Sequence, residues 1–373
     1  MISVCKPTLK GNELKYVTDC IKSNWISSSG QYVNKFEEGF SKFCGAKYGI
    51  ACSNGTTAIH LALMAIGVKK GDEIITPTFN IISATNSIIL CGAKPVLVDS
   101  ELDTWNIDVN KIEEKITKRT KAILIVHTYG HPVDMDPVLE LGKKYGIKII
   151  EDAAEAHGAL YKNRMVGSIG DIGCFSFYSN KILTTGEGGM VITNDKDIAK
   201  NAMSMRDLCF TQPRFIHYEL GFNYRMTNIQ AAIGLAQLER AEELINCRIN
   251  NARYYSSKLN KIEGITLPPE MPWAKNVYWM YSIMIGENFG ISKDGVMAKL
   301  KELGIETRSF FMPMHMQPLF VNNKHHDERY PDCLGKFPCS EELYRKGLYL
   351  PSTSDITKAE MEEVIEKLVS LKK

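Results

Sequence analysis

The feature that most constrains this chain is a rhythm of short β-rich runs, at residues 48–52, 73–76, 95–99, 122–127 and 147–152. They return about every 25 residues, with helix-compatible sequence or loops between them. Strands spaced with room for a crossover specify a mostly parallel sheet covered by helices, an α/β fold. The rhythm breaks at residues 174–178 and 189–193, where a Thr- and Gly-rich turn leaves no room for a crossover helix, so these two runs are expected to pair antiparallel. From Thr227 to about Leu259 the sequence reads as one long helical stretch able to bridge two domains, with Asn228, Ala231, Ala232 and Leu235 on one side. Beyond Ile262 shorter strand and helix candidates alternate, and an amphipathic helix opened by Thr357 closes the chain. The expected organisation is a large domain with an N-terminal arm over residues 1–245 and a smaller C-terminal α/β domain over residues 246–373.

Bulk properties narrow the function classes. The formal charge of +2, from 45 basic and 43 acidic side chains, gives no basis for the counterion release that drives nucleic-acid binding. The longest apolar stretch, residues 58–68, is interrupted by His60 and Gly67 and is far too short to span a bilayer, while residues 1–11 lack the apolar core of a signal peptide. Ten cysteines without a CxxC pair read as buried reduced thiols, and with the foregoing they place the chain in the cytoplasm. Neither nucleic acid nor membrane is expected as a partner.

Three segments carry chemistry. Ser53-Asn54-Gly55-Thr56-Thr57 joins an apolar strand to a helical run, a geometry in which Gly55 allows close backbone approach and the helix start offers free N–H groups to a phosphate; the same residues also serve as an ordinary helix cap. Glu151-Asp152-Ala153-Ala154-Glu155 ends a strand, where ligands of open α/β sheets bind, and an acid buried there can hold a cationic ring nitrogen; the alternative is a pair of solvated loop acids. Lys181 follows Phe175-Ser176-Phe177-Tyr178-Ser179-Asn180 and precedes Thr184-Thr185-Gly186-Glu187-Gly188-Gly189, a setting that can desolvate the amine and make it nucleophilic, although a lone lysine is more often a surface charge. Together they match the needs of pyridoxal phosphate: a helix start for its phosphate, Asp152 for its ring nitrogen and Lys181 for its aldehyde. No GxxxxGK[ST] run or dinucleotide fingerprint competes.

At these residues the chain resembles the DegT/DnrJ/EryC1/StrS sugar aminotransferases, within the fold type I, aspartate aminotransferase-like enzymes. The resemblance also takes in Asn24-Trp25-Ile26-Ser27, Gly170-Asp171 and Gly221-Phe222-Asn223-Tyr224-Arg225-Met226-Thr227-Asn228. Within the family it is most similar to the branch that forms GDP-perosamine, through Asn180-Lys181-Ile182, Glu155 after Ala154, and the run from Phe311 to His315. The resemblance implies a Schiff base on Lys181, Asp152 at the pyridine nitrogen, Gly55, Thr56 and Ser176 at the phosphate, and Glu155 where many relatives carry Gln beside the ring oxygen. It further implies that Asn223 reaches the phosphate of the other subunit, hence a homodimer with shared active sites. Ile81 stands where relatives place an aromatic ring over the pyridine, so that contact becomes aliphatic, or Phe79 replaces it through a shifted loop. The family's dehydratases carry histidine at the lysine position, and this chain keeps Lys181.

The implied reaction moves an amino group from glutamate to C4 of a nucleotide-linked 4-keto-6-deoxy sugar, with GDP-4-keto-6-deoxymannose expected and UDP- or dTDP-4-keto-6-deoxyglucose as the alternative. Trp25, Ser27, Arg308 and His315 are the substrate-binding candidates, against interface, ion-pairing and loop roles. His127 and His157 are expected to be pocket or core residues that make hydrogen bonds. His325, His326 and Asp327 sit among Lys324, Glu328 and Arg329 and read as a polar loop, so no metal site is expected. A non-catalytic protein that keeps the fold is the competing class, and Lys181, Asp152 and Ser176 argue against it.

Overall fold

The computed structural model describes residues 1–323 and 327–373. Strands β1 (Tyr48–Cys52), β2 (Glu73–Pro77), β3 (Lys94–Val98), β4 (Thr120–Val126) and β5 (Lys148–Asp152) precede a short hairpin of β6 (Leu160–Tyr161) and β7 (Arg164–Met165), which β8 (Ile172–Ser176) and β9 (Gly189–Thr193) follow. The main sheet has the order β1-β9-β8-β5-β4-β2-β3. Strands β8, β5, β4, β2 and β3 are parallel; β9 pairs antiparallel with β8, as expected from the turn between them, and also with β1.

The alternation of β4 shows why the sheet is sandwiched. Ile123 and Ile125 enter the core on one side, whereas Ala122, Leu124 and Val126 enter the core on the other. The helix Gly55–Ala65 supplies Ala58, Ile59, Leu61, Ala62 and Leu63 to the second side. The helix Gln31–Cys44 supplies Phe36 and Phe40 to the first, where Phe40 packs edge-on against Phe175 and Phe177 at 4.9 and 5.0 Å. Such aromatic pairs contribute about 0.5–1.5 kcal/mol each beyond their burial.

The C-terminal portion builds a second sheet, β10-β12-β14-β13, from β10 (Ile265–Thr266), β12 (Tyr281–Ile285), β13 (Arg308–Ser309) and β14 (Gly347–Leu350), while β11 (Ala274–Lys275) crosses to pair with β6. The extreme N-terminus lies beside it: Ile2 bridges to Ile305 and the Val4 carbonyl accepts from Ser352 N–H. The last helix, Lys358–Ser370, opens with a reciprocal capping box between Thr357 and Glu360.

Three local expectations change. The stretch after Thr227 is two helices, Asn228–Leu238 and Ala241–Leu259, because Arg240 leaves helical geometry at φ −111°, ψ 14°. Strand β8 begins at Ile172 and stops at Ser176; the Phe177 carbonyl instead accepts from Thr185 N–H and the Thr184 hydroxyl, closing the turn that carries Lys181. All ten cysteines are free, but Cys5, Cys91, Cys247, Cys333 and Cys339 are only partly buried. Among the described residues no helix is long and apolar enough to cross a membrane.

Candidate active site

Three strand ends converge on the site. At the first, Asn54 caps the helix Gly55–Ala65, accepting from Thr57 N–H at 2.9 Å while the Thr57 hydroxyl accepts from Asn54 N–H at 3.1 Å. The cap occupies Thr57 and, among the described residues, leaves Gly55 and Thr56 N–H without a protein partner, so the capping and anion-binding roles coexist on different residues. Gly55 lies against Ser176: a Cβ at position 55 would meet the Ser176 Cβ at 2.6 Å and its Oγ at 3.0 Å. The Thr56 hydroxyl is exposed and donates to Ser83 at 3.0 Å. Together these groups form a cradle of N–H and hydroxyl donors at a helix start, suited to a phosphate.

At the second, consecutive residues of β5 face opposite ways and the two acids part company. Glu151 accepts from Gly167, Ile169 and Gly170 N–H and from His127 Nε2, so it anchors a loop. His127 Nδ1 accepts from Val133 N–H, as expected of a hydrogen-bonded core histidine. Asp152 is buried and accepts from Ala154 N–H at 3.0 Å. Burial raises its carboxyl above the usual range, against that hydrogen bond and the nearby charge of Lys181. A buried carboxyl with so few partners is suited to a cationic ring nitrogen. Glu155 accepts from Tyr129 N–H at 2.8 Å, and burial pushes its carboxyl up to about 7, with Lys181 opposing.

At the third, Lys181 is enclosed. Its Nζ lies 3.8 Å from Glu155 and 3.6 Å from the centroid of the Trp279 ring, and it makes no hydrogen bond among the described residues. Burial lowers its proton affinity, and Glu155 and Asp152 partly restore it. Gly55, Ser176, Asp152, Glu155 and Lys181 are thus gathered around one place, and their donor, acid and amine chemistry fits pyridoxal phosphate.

The remaining candidates lie elsewhere on the chain. Ile81 is exposed at the start of the helix Ile82–Leu90, whereas Phe79 is fully buried against Tyr129, Phe310 and Phe311, so Phe79 is a core residue. Asn223, Trp25 and Ser27 are exposed; the Trp25 and Ser27 carbonyls hold Asn228, and Asn223 accepts from Arg225 Nε. Arg308 is half exposed and pairs with Glu306 at 3.3 Å. His315 is buried, bonded to the Thr78 hydroxyl at 2.8 Å and stacked on Phe337 at 4.4 Å. None of these hydrogen-bonds or ion-pairs with Lys181, Asp152 or Glu155 among the described residues.

His157 departs from expectation. It is fully buried beside Phe40, Phe175 and Phe177, yet neither ring nitrogen meets hydrogen-bond geometry with any described residue, the Ser176 backbone included. Burial, reinforced by the charge of Lys181, lowers its pKa to about 3 and keeps the ring neutral. His325 and His326 lie outside the described residues, and among those described no group of three His, Cys, Asp or Glu side chains could hold a metal. Trp279 and Tyr129, which line the lysine and Glu155, were not marked by any local motif; only tertiary contact reveals them.

A largely enclosed lysine facing two buried acids beside a phosphate cradle defines a pyridoxal phosphate-dependent enzyme on an α/β scaffold. The DegT/DnrJ/EryC1/StrS aminotransferase family model matches residues 7–369. GDP-perosamine synthase of Caulobacter vibrioides is 45% identical over 98% of this chain and 97% of its own, and GDP-perosamine synthase of Escherichia coli O157:H7 is 41% identical over the same shares. The crystal structure of the aminotransferase TlmJ from Streptoalloteichus hindustanus superimposes with a TM-score of 0.91 at 28% identity, covering 100% of this chain and 98% of TlmJ. The chain belongs to the DegT/DnrJ/EryC1/StrS aminotransferase family and is a pyridoxal phosphate-dependent sugar aminotransferase.

Proposed function

We propose that the protein transfers an amino group from glutamate to C4 of GDP-4-keto-6-deoxymannose, forming GDP-perosamine, as a cytoplasmic homodimer with shared active sites. The observation that carries the chemistry is Lys181, whose amine, on a side chain only 10% exposed, faces Glu155 beside the Gly55–Ser176 cradle. The sugar is supported by the two relatives named GDP-perosamine synthase, both matched nearly end to end. The homodimer is supported by exposed Asn223 and by the apolar surface of Phe215, Tyr218 and Leu220, and the cytoplasm by ten free cysteines.

Pyridoxal phosphate, when bound, supplies an aldehyde for amine exchange and an electron-withdrawing ring. Gly55 and Thr56 N–H and the Ser176 hydroxyl would hold its phosphate, and Asp152 would keep its ring nitrogen protonated. Ile81 would pack on the ring face. Lys181 Nζ, once released, carries the proton of the reaction: burial lowers its proton affinity, which favours the neutral amine that takes the proton, and the nearby carboxylates help it hold that proton until it is returned. The Trp279 ring covers one side of it. Trp25, Ser27, Arg308 and His315 remain the proposed sugar-nucleotide contacts.

Visible absorption of the purified protein, followed by added glutamate, tests cofactor and donor together; Lys181→Ala should abolish both the band and its response. GDP-, UDP- and dTDP-linked 4-keto-6-deoxy sugars should then be compared side by side. Turnover of the UDP or dTDP sugar with none of the GDP sugar overturns the substrate assignment.

A further inference from the structure

The Lys181 amine lies over the Trp279 ring at 3.6 Å from its centroid, well inside the reach of about 6 Å over which an aromatic face attracts a cation. The ring is fixed on several sides. Its indole N–H donates to the Asn180 carbonyl at 2.9 Å, its backbone N–H donates to the Tyr129 carbonyl at 3.0 Å, and its own carbonyl accepts from buried Arg248 at 3.4 Å. Asn180 immediately precedes Lys181, so the indole is tied to the same turn that carries the amine. With Glu155 at 3.8 Å and no hydrogen bond to Nζ among the described residues, the indole face is the nearest group that can stabilise the charge.

We propose that the indole face of Trp279 is the seat of the Lys181 amine whenever that amine is not covalently engaged, favouring its ammonium form and holding it beside the cofactor site. Trp279 is then a positioning residue acting through Lys181. This rests on the reading that Lys181 is the amine that joins pyridoxal phosphate.

The role follows from what the lysine must do. To join the cofactor, the neutral amine adds to the aldehyde carbon; a C=N bond replaces C=O, and the oxygen leaves as water. To carry a proton it must instead become an ammonium in a buried place. Burial opposes that form, the carboxylates of Glu155 and Asp152 favour it, and the Trp279 face adds to them.

The test uses the full-length chain with cofactor removed and Trp279 replaced site-specifically by tryptophans of increasing fluorination, which deplete the ring's negative face with little change of shape. The rate at which the visible band forms on adding pyridoxal phosphate is measured against pH. The other titratable groups facing Lys181 are Asp152 at the end of β5, Glu155 and His157 in the turn beyond, and Cys5 from the N-terminal segment. None changes across the series, so a trend isolates the ring. The midpoint should move to lower pH with each fluorine, by roughly half to one and a half pH units in all. Trp279→Phe, with its weaker face, should give an intermediate midpoint. A band whose midpoint is indifferent to fluorination overturns the proposal alone; no band in the unmodified protein overturns the reading of Lys181 and this proposal with it.

Discussion

Glu155 turns burial into a pH dependence that can be measured. Its carboxyl, held up at about 7 chiefly by burial, would sit at about 4.3 in an unfolded chain. The folded state therefore favours the protonated form, and the stability this contributes is complete below the unfolded value and is lost as pH rises through 7. Glu155→Gln removes the titration, so between pH 5 and 8 the stability of the cofactor-free protein should lose a slope of up to about 1.4 kcal/mol per pH unit, followed by thermal melting. An equally steep variant would assign the slope to another group. Gly55 offers a second test, because its space is taken up by Ser176. Gly55→Ala should cost about 1–3 kcal/mol by overpacking, and Ser176→Gly in the same chain should restore the melting temperature but not cofactor affinity. Asp152 and Lys181 were legible because each stands in a short contiguous motif after a strand. Trp279 was not: its bond to Asn180 spans 99 residues, and nothing local distinguishes it from a core tryptophan.

Elements were legible where a short apolar run stands out from its surroundings and illegible where every residue suits the same conformation. The β4 and β5 runs announce themselves through apolar content, whereas the break at Arg240 falls among residues that all tolerate a helix, and tertiary contacts decide it. The second of those helices ties distant stretches of chain together. Its Arg248, fully buried, donates to the Ser352 carbonyl at 2.6 Å, to Trp279 and Ser354, and to Cys5 of the N-terminal segment at 3.2 Å. One side chain thus clips together four stretches of chain, one of which carries the ring beneath Lys181. Arg248→Met keeps much of the volume but leaves the two carbonyls unpaired, at about 1–3 kcal/mol for each. Urea unfolding should show that loss in the midpoint; an unmoved midpoint would mean the carbonyls find other donors.

At the scale of the molecule, the single chain accounts for lysine, acids and cradle but leaves several implied residues on its outside. Asn223 is exposed, Trp25 is 57% exposed, and Tyr218 and Leu220 are more than four-fifths exposed, a density of apolar surface that a second copy would cover. If Asn223 completes the partner's phosphate site, damage to Lys181 and damage to Asn223 fall in different sites of one mixed dimer. Lys181→Ala removes the amine, and Asn223→Asp sets a negative charge beside the phosphate of the neighbouring site; each homodimer should be nearly inactive. After unfolding and refolding together in equal amounts, half the dimers pair one variant with the other, and in each of these one site has both groups intact while the other lacks both. Random pairing therefore restores about a quarter of the wild-type sites, and activity should return to that level. Activity that stays at the level of the separate variants, in a mixture that sedimentation shows to be dimeric, would place Asn223 in its own chain's site or in none.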